Sequence, residues 1–529
     1  MPQTHQTLRH LAASAAGLIL SLLTISSSYA QPVNDADWHW SGEAEQQVQA
    51  ERIRQQARSS LPNWSTGTTS ATATVALQTM FSAQAGSWPF EPFVNNGLFR
   101  AIAGYQSSHP QAVVIGKGQI TLEQLHQRLA DPRILKRYKD GYLLSYPLMV
   151  AADGALLVKD SHLYLLTPSG TALINLGTLS LVNATLESWN DDSPTVTDRP
   201  FRPFIMAWAG STTEIRGSTL RKLGYNAHLS RGMSSARSSG QPLQQEPARV
   251  LISDSRIDAL SSVELQAVQA RIEHSTFTNL QQYAIDLQDA RLHLSHNRIQ
   301  QVRNQSGIRI RGSSVGVVEH NTLLQTEKAG IEINDQSGNL VLADNQIGAS
   351  RGNGILLRNV ASDTADSALL VSGNLIGNSD ASGVYADNLQ RAYIVGNQIH
   401  ASANYGISVL NPGEQPSELV VIGNTLGNIG QVLIRTEGVQ QLTLGNNDYQ
   451  LGPLTQSILG GDILALQSLL LDATYKRGCI IQVRPATARQ ASFPAKKDCQ
   501  VKKTASGSAN QSAHSLRPGK PKASPEQGL

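Results

Sequence analysis

Two arginines alternate with isoleucine in the run Gly307–Ile308–Arg309–Ile310–Arg311–Gly312. Alternation of period two describes a strand with one buried face and one wet face. Both guanidiniums are therefore expected side by side on the wet face. A guanidinium fork binds a carboxylate in bidentate fashion. It does not act as a base near neutral pH, because its pKa is far too high. The chemistry on offer here is the holding of an anion rather than the removal of a proton.

The strand belongs to a repeat. "HNRI" at 296, "HNTL" at 320, "DNQI" at 344, "GNLI" at 373, "GNQI" at 396 and "GNTL" at 423 set Asn297, Asn321, Asn345, Asn374, Asn397 and Asn424 in step. Gly307, Gly330, Gly354, Gly383 and Gly406 run in phase, each followed by an alternating strand. Ser275 and Ser255 hold the same slot as the asparagines further upstream. A period of about 22–25 residues with short β-branched segments describes the coils of a right-handed parallel β-helix, an all-β fold. Each Asn is expected at a tight turn, bonding local backbone, tolerating left-handed dihedrals and stacking on its neighbours in a ladder.

Coil-by-coil stacking yields a map of one outer face. Ile and Val point in. The outward residues are Asp286 and Gln288, then Arg309 and Arg311, Glu332 and Asn334, Leu356 and Arg358, Tyr385 and Asp387, and Ser408 and Leu410. A long, shallow polar face with an aromatic suits an extended polymer better than a small buried ligand. Asp286 and Glu332 also flank the arginines across strands, so a salt-bridged surface stands as the alternative.

Composition frames these elements. The chain has 529 residues, a net charge of +3, 40% hydrophobic and 16% charged residues. That supports a sizeable core with turns made by small polar residues. Residues 1–30 have the form of a secretory signal, with the apolar run "LAASAAGLILSLLTI" and small residues at Ser28 and Ala30, so cleavage after Ala30 is expected. The run is short for a membrane anchor. The mature protein is expected in the periplasm, with no transmembrane segment and no nucleic-acid partner. Cys479 and Cys499 are the two cysteines. In an oxidising compartment they are expected to pair across a terminal loop, and no metal or other cofactor is expected. From Lys476 onward eleven Lys or Arg stand against Asp498 and Glu526. The tail 501–529 has the composition of a disordered basic segment. Residues 41–61 form a polar helical run with Ser41 as a cap and a narrow apolar stripe at Val48, Ile53 and Ala57. A solvated helix and a docking helix for an export complex both fit it.

The organisation expected is a signal over 1–30, a partly helical extension over 31–110, the β-helix over 111–455, a helical cap with disulfide over 456–500, and the basic tail. Three stretches resemble the periplasmic mannuronan C5-epimerases of alginate synthesis. They are "RPFRPFIMAWAGSTTEIRGSTLRKLGYNAHLSRGMSSA" at 199–236, "AVVIGKGQITLEQL" at 112–125 and "GGDILALQSLLLDATYKRGCIIQV" at 460–483. The resemblance implies a β-helix and action on an anionic exopolysaccharide, with synthesis or export proteins as further partners.

It also implies a site. Members of that family carry an Asp-Pro-His-Asp-Arg-Ser run after a Gly-apolar pair, and its His exchanges protons at C5. Aligned on the Gly, the run falls on Arg309, Ile310, Arg311, Gly312, Ser313 and Ser314, and Ser314 alone matches. The His position is Arg311. Epimerisation needs a neutraliser for the carboxylate, a base and an acid, and the arginines supply only the first. Lys328, just before Gly330, is the remaining candidate base. Asp286, Gln288, Arg309, Arg311, Glu332, Asn334, Arg358 and Tyr385 are the expected substrate-binding residues. Three functions follow: a protein that binds or guides the polymer with altered or lost epimerase chemistry, an active C5-epimerase or lyase with a rearranged site, and a scaffold of a synthesis or secretion complex.

Overall fold

The structure, a computed structural model, describes residues 38–63, 71–80, 98–106, 110–189, 201–237, 245–362, 367–413 and 416–485. The signal segment, Cys499 and the basic tail lie outside the described residues. Three strands per coil stack into three long sheets of 15, 15 and 14 strands. They form the right-handed parallel β-helix expected from the repeat. Pairing is parallel and largely in register, as in Ile308↔Ile331, Ile331↔Ile355, Ile355↔Val384 and Val384↔Ile407. These five side chains are fully buried and form one inner row of the core. Alternate residues of the same strands face out, as period two requires.

The asparagine ladder is complete. Asn297 Nδ2 and its backbone N–H both donate to Asn321 Oδ1, at 2.9 and 3.0 Å. Its second Nδ2 hydrogen goes to the Ile272 carbonyl at 2.8 Å. The pattern repeats through Asn345, Asn374, Asn397 and Asn424 and runs on to Asn447. Upstream, serine hydroxyls take over the acceptor role. Ser275 Oγ receives the Ser255 N–H, and Ser255 Oγ receives the Ser218 N–H, both at 3.1 Å. The left-handed residue, however, is the one before each Asn: His296 at φ 56°, His320 at 55°, Asp344 at 54° and Gly373 at 66°. That corrects the expectation for the Asn itself. The small or hydrogen-bonding residue at the front of "HN", "DN" and "GN" accommodates the turn, which frees the Asn to point inward.

Both ends of the solenoid are closed by antiparallel strands, which blunt otherwise open sheet edges. Val75–Thr79 runs antiparallel to Gln111–Ile115. Ile480–Val483 runs antiparallel to both Gln441–Gly445 and Trp38–Ser41. Near the first end the helix Leu122–Leu129 is held by a capping box between Thr121 and Gln124. At the second end lie the short helices between Leu464 and Lys476. Cys479 is buried and disulfide-bonded.

The helix Glu43–Ser59 lies against the outer face of one sheet. Ile53 and Ala57 are buried in a cluster with Val317, Val341, Leu370 and Tyr393. Arg54 Nη2 donates to Ser372 Oγ at 2.7 Å, and Arg58 Nη2 reaches Glu319 at 3.2 Å. Two expectations are corrected here. The helix is a strap on its own chain, so its stripe is spent internally, and Val48 stays exposed. Its N-cap is Gly42, with no side-chain cap, rather than Ser41.

Asn345→Ala removes the acceptor for two donors of Asn321. Each orphaned buried donor costs about 1–3 kcal/mol, so a clear fall in Tm is expected. Asn345→Ser, which restores an acceptor as Ser275 does, recovers part of it. The strap should respond to acid. The His293 hydrogen bond and then Arg58 hold the Glu319 pKa down, from 4.5 to about 2. A depressed carboxylate pKa stabilises the fold above the unfolded value and loses that contribution as pH falls through the folded value. Amide protection in Glu43–Ser59, relative to intrinsic exchange at each pH, should therefore fall selectively as pH drops from about 4.5 towards 2, and Glu319→Gln should show the lower protection already at neutral pH.

Candidate functional site

The strand Ile308–Gly312 lies in a sheet whose outer face carries the expected rows. Asp286, Arg309, Glu332, Leu356, Tyr385 and Ser408 are successive partners in one row. Gln288, Arg311, Asn334, Arg358, Asp387 and Leu410 form the row beside it. The structure thus brings the predicted residues onto one face, spread along it at about 4.8 Å per strand.

The two arginines differ. Arg309 does not stand free on a wet face. Its Nε and Nη2 donate to the two oxygens of Asp286 at 2.9 and 2.6 Å. Its Nη1 donates to the Tyr283 hydroxyl at 2.9 Å, with the guanidinium carbon 3.9 Å from that ring's centre. Burial opposes the charge on Arg309, but Asp286, Tyr283 and Glu332 outweigh it and its pKa is raised. Arg311 reaches Asp286 only at 3.5 Å. Its Nε is buried without a hydrogen-bond partner, and so is Oδ1 of Asn334, its neighbour in the next strand. A buried donor and a buried acceptor on adjacent strands thus lack hydrogen-bond partners, and such groups call for one.

The carboxylates are also placed. Asp286 is 1% exposed and serves both arginines. Glu332 pairs with neither. It accepts from Ser306 Oγ, and from Asn334 Nδ2 at 2.6 Å. Tyr283 is not among the residues that the sequence pattern marks. It lies outside the alternating strand, in the turn before Ile285, where only its spacing from Arg309 in the next coil could have marked it. Burial, and then Glu332, raise its pKa, so the hydroxyl keeps its proton. Lys328 is an exposed turn residue whose backbone bonds Gln305 and Gly352. Arg358 is exposed and Tyr385 half-buried.

Gly312 adds a steric fact. Its φ is +72°, and a Cβ there would lie 2.2 Å from Asp289 Oδ1. The same Asp289 oxygen accepts the Ser313 N–H at 3.0 Å. Any side chain at position 312, an aspartate above all, must displace that carboxylate.

Comparison with known proteins follows the same outline. Residues 250–456 match the family model described as "Periplasmic copper-binding protein (NosD)". The mannuronan C5-epimerase of Pseudomonas putida is 25% identical over 388 residues, spanning 67% of this chain and 72% of the relative. The chain is homologous to the Pseudomonas mannuronan C5-epimerases. The Pseudomonas aeruginosa mannuronan C5-epimerase is 27% identical over 217 residues, spanning 38% of this chain and 40% of that one. The crystal structure of the periplasmic alginate epimerase AlgG superposes with a TM-score of 0.57 at 17% identity, covering 76% of this chain and 96% of that one. That likeness establishes the β-helix fold. The copper in the NosD description has no matching ligand set here: among the described residues, no group of three or more His, Cys, Asp or Glu could hold a metal ion.

Asp286→Ala would leave Arg309 without its carboxylate in a half-buried position. Breaking a buried pair by removing one partner costs about 3–5 kcal/mol. The expected result is a lower Tm than for Glu332→Ala, whose partners are neutral, measured by thermal unfolding of both variants.

Proposed function

We propose that this protein binds a mannuronan-like anionic polysaccharide along the outer face that carries Arg311, in the periplasm, without removing the C5 proton. The observation that carries this is Arg311 itself. By the sequence resemblance it takes the place of the histidine in the epimerases' run, and its Nε and the adjacent Asn334 Oδ1 are buried without hydrogen-bond partners. A uronate supplies both complements, a carboxylate for the guanidinium fork and hydroxyls for the amide oxygen.

Homology to the mannuronan C5-epimerases supports the substrate class. The matched structure is named as periplasmic, and no helix among the described residues is long and apolar enough to cross a membrane. Proton removal is disfavoured by the groups around Arg309. Asp286, Tyr283 and Glu332 hold the Arg309 pKa up, burial pushes the Tyr283 hydroxyl up, and Asp286 is paired with the arginines. Losing a positioned base lowers the rate by about 10²–10⁴.

The test is mannuronan incubated with the protein in deuterated water, read by deuterium at C5. Epimerisation and lyase elimination both begin with this proton removal, so one measurement covers both. Slow exchange together with measurable binding is expected, with binding weakened in Arg311→Ala. Fast exchange contradicts the proposal, and its loss in Lys328→Met or Tyr283→Phe would identify the base. Arg311→His with Gly312→Asp should restore little, because Asp289 occupies the space the new aspartate needs.

A further inference from the structure

The Arg309–Tyr283 arrangement occurs a second time on the same face. Arg435 Nη1 donates to the Tyr405 hydroxyl at 3.0 Å, and the guanidinium carbon lies 5.1 Å from that ring's centre. Its Nε and Nη2 are held by Glu437 Oε1 at 3.0 and 2.5 Å. Tyr283 and Tyr405 occupy the same place in their coils, two residues before the paired positions Ile285 and Ile407. Arg309 and Arg435 each follow the strand partner of that position in the next coil, Ile308 and Ile434. The Arg–Tyr pair is thus repeated on the row that runs through Glu332, Leu356, Tyr385 and Ser408, with the carboxylate coming from the preceding coil at Arg309 and from the same strand at Arg435. Five strand steps separate the two arginines, about 24 Å at the ladder spacing.

A guanidinium has five N–H donors. Three are committed at each station, which leaves two for a ligand while the carboxylate and the ring fix the fork in place. A fork held this way loses little rotamer freedom on binding. Between the stations Ser408, directly beside Arg435 in register, is fully buried, and its Oγ has no hydrogen-bond partner. The two stations face the same way because they share one row of one sheet.

We infer that Arg435 and Tyr405 form a second subsite for the polysaccharide, so that one chain lies parallel to the β-helix axis and is held at both stations. This rests on the binding function proposed above and adds the direction and span of the ligand. Two linked contacts make the second one intramolecular, which raises avidity by about 10²–10⁴ when the ligand can reach both.

The experiment compares a mannuronate trisaccharide with polymannuronate by calorimetry, with affinity expressed per mole of mannuronate. For the wild type the polymer should bind about a hundredfold tighter or more. Arg435→Ala should bring the polymer at least about tenfold closer to the trisaccharide, and Arg435→Lys, which keeps the charge and loses the fork, should do the same. Tyr405→Phe, which removes a single hydroxyl, keeps the question answerable if the arginine variants fail to fold, and should weaken polymer binding in the same direction. Polymer affinity unchanged in the folded variants overturns the second subsite and leaves the function at Arg311 standing. Failure of the wild type to bind either ligand overturns both.

Discussion

The buried amide ladder is the constraint on which the rest of the structure depends. Each ladder Asn spends its acceptor oxygen and its donor hydrogens on neighbouring coils, so a coil out of step would strand several buried polar groups at once. Sequence separations between successive ladder residues range from 23 to 29, yet the side-chain bonds stay between 2.9 and 3.1 Å. Extra residues are expelled into loops and the strands stay aligned. That alignment sets Asp286 beside Arg309 and Arg311 beside Asn334. The polar outer face exists because an inner row of polar side chains fixes where each coil begins.

What the sequence disclosed follows from periodicity. The repeat predicts the parallel β-helix, the inner Ile and Val row and the order of residues along the outer face, because each is a consequence of period two within a strand and period 22–25 between strands. What it concealed depends on side-chain direction. Asp286 could pair with an arginine or face the ligand, and the spacing is the same in both cases. In the structure it takes Arg309 in bidentate fashion, while Glu332, equally near in sequence terms, is held by Ser306 and Asn334. Tyr283 lies in a turn, outside the alternating pattern. The narrow stripe of the helix Glu43–Ser59 fits a solvated helix and a strap equally well, and only the apolar outer patch it covers decides between them.

Carboxylates and guanidiniums balance along the two outward rows, with Asp286, Glu332, Asp387 and Glu437 against Arg309, Arg311, Arg358 and Arg435. The face is therefore no positive strip that attracts a polyanion from a distance. In the proposed function, recognition therefore rests on forks held in place by acids, and long-range steering contributes little. This also bears on the chemistry. A site built to remove a proton keeps a group that titrates near the working pH. Here Asp286 serves Arg309 and Arg311, three of the five Arg309 donors go to Asp286 and Tyr283, and Tyr283 holds its proton. Those same pairings keep Arg309 fixed next to the open Arg311.

In the proposed function the ligand's carboxylate meets Arg311 on this face. A crystal structure of the protein with a mannuronate oligosaccharide tests it most directly. The expected complex has a sugar carboxylate on the Arg311 guanidinium, a hydroxyl within hydrogen-bond distance of Asn334 Oδ1, and the Arg309–Asp286 pair intact. An oligosaccharide seated on another face, with Arg311 Nε and Asn334 Oδ1 left unpartnered, would contradict it.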